Sequence, residues 1–367
     1  MSHAHQSYSR RKILQIAGLA AGSTALSVAC TPHSASTHSA STPASSESPS
    51  TTQADPDTPV ASTTAASSMS RVVLVRSEDR VAGTRKAIDL LQPDDITGQT
   101  LFLKPNYNTA DPAPAATDTA LLAALVEELQ GAGAGQITVG DRSGMAETRQ
   151  AMQSKGVFEL ADRYGLKAIV LDELEREDWQ YFPAEGTHWT KGFAVARPAL
   201  QAGGIINTCC LKTHRYGGHF TLSLKNTVGL VAKYVPGDPY NYMGELHSSP
   251  HQRLMIAEIN KAYQPALVLL DGVEAFVNGG PDAGDLAKPG VILAGTDRVA
   301  VDVVAIALLR SLGTTSEVSQ GSIWDLEQIQ RAIALGLGAA NHEQIELVTG
   351  DGASQTMADQ LRKIIAV

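Results

Sequence analysis

The chain has 367 residues, 43% of them hydrophobic and 18% charged, with 29 Lys+Arg against 38 Asp+Glu. Residues 1–30 hold three basic groups (Arg10, Arg11, Lys12) and no acidic one, so the remainder carries 26 basic against 38 acidic residues, a formal charge of −12. An acidic body argues against nucleic acid or an anionic membrane face as a partner and leaves room only for locally basic pockets.

The N-terminal stretch reads as an address. Ser9 to Gln15 spells SRRKILQ, a twin-arginine pattern, and an apolar run follows from Ile13 to Ala29. That run is too short and too weakly apolar for a membrane span. The expectation is a Tat signal over residues 1–30, with the Tat translocase as a partner during export. Ser27-Val28-Ala29-Cys30 resembles a lipobox, with Ser27 where Leu is usual. Two outcomes stay open: a lipid anchor at Cys30, giving a membrane-anchored lipoprotein, or simple cleavage, giving a periplasmic protein. Residues 31–70 are almost wholly Ser, Thr, Ala and Pro. Such a composition cannot bury enough apolar area to offset ordering entropy, so it reads as a flexible linker. Its r.m.s. reach would be roughly 35 Å.

From Arg71 onward, short apolar runs alternate with helical patterns. Strands are expected at Val72–Val75, Thr100–Leu103, Gln136–Asp141, Ala168–Asp172, Gly203–Cys210, Ala266–Gly272, Val291–Asp297 and Ile345–Val348. Helices are expected at Val81–Leu91, Asp118–Leu129 (capped by Thr117 or Asp118), Val157–Tyr164 and Val299–Leu312. This alternation predicts an α/β fold: a largely parallel sheet with helices on both faces, in one domain or two lobes, over residues 71–367. Strand after strand ends in a polar residue: Lys104 and Asn106, Asp141, Lys212 and His214, Asp271, Asp297. Parallel strands would bring these to one rim, where open α/β sheets place their chemistry.

The densest polar cluster is Leu211 to Asn226, LKTHRYGGHFTLSLKN. His214 past a strand end can move a proton or bind a metal near neutral pH. Lys225 can hold an anion or form an imine in a buried cleft, or pair structurally with Asp271 or Asp302. Lys104, Asn106, Lys212 and Asn226 read as substrate-binding groups, Lys104 and Lys212 as anion-binding charges. Asp141 and Asp271 read as metal ligands or bases, with helix capping open for Asp141. His247 is favoured as a site residue and His251 as solvent-facing, because Pro250 between them breaks a shared helix; His219 is left open. The loop Asn278 to Gly284 permits close backbone approach but is neither a P-loop nor a GxGxxG turn. The adjacent Cys209 and Cys210 read as buried thiols rather than a bridge.

Taken together, Lys104-Pro105-Asn106, Val139-Gly140-Asp141, Ile205-Ile206-Asn207 with Leu211-Lys212-Thr213-His214, Ser223-Leu224-Lys225-Asn226 with Gly229, His247, Asp271-Gly272, Gly279-Gly280-Pro281 with Gly284, and Asp297 through Asp302 resemble the DUF362 family. Many members also carry a ferredoxin-like cysteine segment. This chain lacks it, so no iron–sulfur cluster is expected. A fainter similarity, by order alone, is to the nickel-pincer lactate racemases, and it implies lysine and histidine roles for His214, Lys225 and His247. The resulting expectation is an exported enzyme acting on a small anionic metabolite, with His214, Lys225 and Asp271 catalytic. A divalent transition metal would be held by His214, His247 and Asp141. The rival expectations are a tethered, non-catalytic protein that captures a solute or metal, and a structural or assembly factor.

Overall fold

A computed structural model describes residues 69–367; the expected signal segment, Cys30 and nearly all of the linker lie outside the described residues. Among the described residues twelve strands occur in chain order. They are β1 (Ser70–Arg76), β2 (Leu101–Lys104), β3 (Ile137–Asp141), β4 (Lys167–Val170), β5 (Trp179–Phe182), β6 (Phe193–Ala196), β7 (Gly204–His214), β8 (His219–Thr221), β9 (Pro265–Gly279), β10 (Gly284–Ala287), β11 (Val291–Gly295) and β12 (Ile345–Val348). The main sheet runs β12-β1-β11-β9-β7-β2-β3-β4, with β8 added to β7 and β10 to β9, while β5 and β6 form a separate hairpin. Seven of the eight strands on the main path point the same way; β11 alone runs against its neighbours.

The apolar runs explain why the sheet is covered on both faces. Successive side chains of a strand point to opposite sides. In β1, Val72 and Leu74 enter one core, which they share with Leu211, Leu270 and Leu293 and with the helices Arg298–Ser311 and Gly352–Ile365. Val73 and Val75 enter the other, with Leu103, Leu269 and Ile292 and the helices Arg80–Leu91 and Thr119–Gly131. Continuous apolar strands are what such two-sided burial requires. The helix starts are set by carboxylates: Asp79, Asp118 and Asp297 each accept two backbone N–H groups of the first turn, a cap worth about 1 kcal/mol.

A third core extends the sheet at β2 and β7. Phe102 and Ile205 meet Trp179, Phe193 and Val195 of the β5–β6 hairpin, Leu230, and Tyr242, Leu246, Met255 and Ile256 of two short helices. Those helices are Tyr242–Ser248 and Gln252–Glu258, with Pro250 between them. Among the described residues no helix is long and apolar enough to cross a membrane.

Two strand ends differ from expectation. Because β11 is antiparallel, Asp297 lies at the opposite rim, where it accepts Ser70 Oγ (2.6 Å) and the Ala339 N–H (2.7 Å). Asp271 does not end its strand either: β9 continues to Gly279, and Asp271 pairs in register with Ile292. Cys209 and Cys210 are both buried, and neither is bridged among the described residues.

Candidate functional site

A cavity of about 270 Å³ opens between the carboxyl ends of the parallel strands and the third core. The strands contribute Lys104, Asp141, Lys212 and His214, the third core contributes Val228 and Met243, and the helix Tyr242–Ser248 adds His247. Asn106, Lys225 and Asn226 complete the expected residues on its wall. Among the described residues five that line it are cationic (Lys104, Arg142, Lys212, Lys225, Lys233), and Asp141 is the one lining carboxylate. A locally cationic basin therefore sits inside an acidic chain.

Most of these charges are already engaged. Lys104 Nζ lies 2.7 Å from Asp141 Oδ1 and donates to the Pro105 carbonyl (2.5 Å). Asp141 also accepts the N–H groups of Tyr107 and Arg142, each at 2.7 Å. Burial pushes the Asp141 carboxyl up and the Lys104 ammonium down, and their ion pair opposes both shifts. Lys212 Nζ donates to Asn106 Oδ1 (2.9 Å), the Ala115 carbonyl (2.5 Å) and the Pro281 carbonyl (3.1 Å). Three acceptors exhaust an ammonium's three hydrogens. The Arg142 guanidinium donates to the carbonyls of Val231, Ser143 and Val228 and to Met243 Sδ. Asn226 Nδ2 donates to the Lys104 carbonyl, Asn207 Oδ1 and the Thr208 carbonyl, while its Oδ1 accepts Asn106 Nδ2. Lys104, Asn106, Lys212 and Asn226 thus form a saturated, buried network. Their positive field reaches the cavity, but their polar hydrogens are spent on the floor itself. Gly229 presses on this floor: a Cβ there would stand 2.4 Å from Asp141 Oδ1 and 2.6 Å from Lys104 Nζ.

Lys225 is different. It is 8% exposed, and neither a carboxylate nor a hydrogen-bond acceptor partners its amine among the described residues. Burial lowers its pKa from 10.5 to about 7, and the Lys212 and Arg142 charges add to the effect. Asp302, one open alternative as its partner, instead accepts the N–H groups of Ser223 (2.7 Å) and Leu224 (2.9 Å), fixing the one-turn helix Ser223–Asn226 that carries Lys225. Gly218 gives the side chain its room: a Cβ there would lie 2.7 Å from Lys225 Cε and 3.1 Å from His214 Nδ1.

His214 is buried with Nδ1 unpartnered. Burial, then Lys225 and Lys212, holds it well below the usual imidazole range, so it is neutral at pH 7. His247 is solvent-exposed on the cavity wall, and its Nδ1 lies 2.7 Å from the Met243 carbonyl. A carbonyl only accepts, so Nδ1 carries the proton and Nε2 keeps its lone pair. Desolvation lowers its pKa too. Three more buried polar atoms on lining residues lack partners among the described residues: Tyr107 Oη, Asn108 Nδ2 and Thr221 Oγ1. Unsatisfied groups at this density call for a ligand or water.

Asp271 stands apart from the cavity lining. Its carboxylate meets Arg80 Nε at 2.7 Å and accepts the Val273 N–H at 3.0 Å, which corrects its expected place beside His214 and Lys225. The ligand set His214, His247 and Asp141 does not assemble either: among the described residues no three His, Cys, Asp or Glu side chains could hold a metal ion. Asp141 is taken by three donors, and the surrounding ammonium and guanidinium groups repel a dication. His219 and His251 are absent from this lining; His251 is exposed. The Gly279-Gly280-Pro281 loop closes β9 onto β10, packs against the Thr213 carbonyl and lends the Pro281 carbonyl to Lys212. Arg142, Tyr107 and Asn108 went unmarked in the sequence. The first follows a strand-terminal Asp and the others continue Lys104-Pro105-Asn106, adjacency that was their only signal.

The chain is 27% identical over 256 residues to the thylakoid-associated protein sll1697 of Synechocystis, covering 65% of this chain and 74% of that one. Among solved structures it is similar to the lactate racemase apoprotein of Thermoanaerobacterium thermosaccharolyticum (TM-score 0.38, 15% identity, 57% of this chain) and to a protein of Thermotoga maritima (TM-score 0.39, 12% identity, 60% of this chain). It spans about half the length of these two, 51% and 55%. The family model described as "Domain of unknown function (DUF362)" matches residues 101–307, more than half of the sequence, and the chain belongs to that family.

Proposed function

We propose that the cavity binds a small anionic metabolite and acts on it through Lys225, with His214 and His247 as proton carriers. The observation that carries this reading is the contrast among the buried cations: Lys104, Lys212 and Arg142 are saturated by the protein, and Lys225 is left to the cavity. The saturated cations hold the potential positive, Lys225 meets the anion, and Asn108 Nδ2 with Tyr107 Oη offers the directional donors. A volume of about 270 Å³ suits a metabolite of a few carbons rather than a cofactor-sized molecule. Two neutral imidazoles beside the ligand each carry one N–H and one lone pair, so each can accept a proton at one nitrogen and donate from the other. The residues present do not fit a resident divalent metal, so no step is assigned to one.

Calorimetry with a panel of small carboxylates and phosphates tests the reading. Binding should weaken at least about tenfold, near 1.4 kcal/mol, in Lys225→Met. Affinity unchanged by that substitution would refute it. Turnover of the tightest ligand, lost in His214→Ala, separates an enzyme from a capture protein. The address is proposed from sequence: Arg10→Lys with Arg11→Lys should retain the chain in the cytoplasm, and Cys30→Ser should release it from membranes if lipid holds it there.

A further inference from the structure

Resting on the anion-binding reading above, we propose that the metabolite is a small acid bearing a reactive carbonyl, a 2-oxo or aldehyde acid, and that Lys225 Nζ joins its carbonyl carbon as an imine. The geometry supports the choice of an amine that reacts over one that only attracts. A lysine kept for its charge is given acceptors, as Lys212 is with three. Among the described residues Lys225 has none, yet its backbone is placed by Asp302, which accepts the Ser223 and Leu224 amides, and by the saturated Asn226 beside it. Its Cε occupies the space that Gly218 leaves open, where an added Cβ would lie 2.7 Å from Cε and 3.1 Å from His214 Nδ1. The amine is therefore held beside an imidazole on the cavity wall, and such positioning favours attack.

Electrostatics work in the same direction. Burial and the Lys212 and Arg142 charges bring the amine to about 7. About half of it is then an uncharged nucleophile at neutral pH, against less than ~0.1% for an ordinary lysine. The same cations favour the carboxylate of the incoming acid, while the carbonyl end reaches Lys225.

The step balances without a redox partner. The Nζ lone pair forms the C–N bond as the carbonyl π pair moves to oxygen. A proton leaves the nitrogen and reaches that oxygen through a neutral imidazole, for which His214 is placed beside Lys225. The nitrogen lone pair then expels that hydroxyl, which leaves as water with the proton the ammonium gave up before the attack, and a protonated C=N remains. Summed, the ammonium and the carbonyl acid give a protonated imine and one water. The protonated imine withdraws electrons from the adjacent carbon, so the substrate class extends to acids that lose a proton or carbon dioxide there.

The test uses the natural chain with glyoxylate as the probe, since the smallest 2-oxo acid passes any entrance that admits the class. Glyoxylate with sodium cyanoborohydride at pH 7, followed by peptide mass spectrometry, should give carboxymethyllysine at position 225. The rate should exceed that at the exposed Lys86, Lys288 and Lys363 by at least about tenfold. Lys225→Met should lose that adduct and keep the exposed ones, with its thermal melt confirming the fold. Oxalate, which lacks a reactive carbonyl, is titrated in parallel by calorimetry. Oxalate binding with exposed lysines labelled and Lys225 untouched overturns the imine and leaves the anion-binding reading standing. Failure of both oxalate and glyoxylate to bind overturns the two together.

Discussion

Burying an ammonium without an acceptor is unfavourable, and Lys225 and Lys104 test that penalty in opposite directions. The unfolded chain holds the Lys225 proton up to its ordinary value of 10.5, and the folded chain releases it near 7. Between those values the unfolded state binds more protons, so stability rises with pH; below 7 the penalty is present in full. Lys225→Met removes it. The variant should therefore melt higher than the parent at pH 6, by on the order of a few kcal/mol, with the advantage shrinking from pH 7 towards 10. A parent that is the more stable at pH 6 contradicts the isolation of this amine. Lys104→Met should do the reverse, because it strands Asp141 in the interior: a loss of about 3–5 kcal/mol in urea unfolding. The gathering of Lys104, Asp141, Lys212, His214 and Lys225 was legible, because each closes or follows an apolar run and parallel strands share a rim. The division of labour among them was not. It depends on the carbonyls of Ala115, Pro281, Val228 and Val231, and every residue type carries a carbonyl.

At the scale of elements, the site rests on a one-turn helix that could not stand by its own propensity. Ser223–Asn226 is held because Asp302, inside the buried helix Arg298–Ser311, accepts its first two free amides. Burial pushes the Asp302 carboxyl up to about 7, and those same amides resist the shift. Asp302→Ala should leave both N–H groups unpaired, at about 1–3 kcal/mol each, and should also weaken anion binding, because the turn carrying Lys225 loses its support. A variant with normal affinity and reduced stability would detach the turn from the site. Element starts were readable in the sequence wherever a carboxylate caps them, as at Asp79, Asp118 and Asp297. Strand lengths were not. Asp271-Gly272 reads as an ending because both residues favour turns, but β9 continues past them, paired on to β10, with Arg80 neutralising the aspartate. The reversal of β11 had no local signature, since an apolar run of five spells the same in either direction, and it alone sends Asp297 to the far rim.

For the whole molecule, the relevant fact is that charge is segregated. The chain is acidic, yet its cavity gathers five cations around one carboxylate. Like charges held together in a partly desolvated space raise the energy of the folded state, and an anion entering that space relieves it. Binding to the native state alone adds RT ln(1 + [L]/Kd), about 2.7 kcal/mol at a hundredfold excess over Kd. A small carboxylate should therefore raise the melting temperature in proportion to the logarithm of its concentration. The rise should be largest below pH 7, where Lys225 is charged, and should decline as pH passes through 7 and the amine gives up its proton. High salt should erode the effect only partly, since screening acts weakly on buried charges. In Lys225→Met the starting melt should be higher and the anion-induced rise smaller at and below pH 7, the two proteins converging in that rise as the amine loses its charge. Differential scanning calorimetry of parent and variant across pH 5.5–9 reads all of these at once. Equal anion-induced shifts in the two proteins, or a shift that grows with pH, would place the bound anion somewhere other than against this lysine.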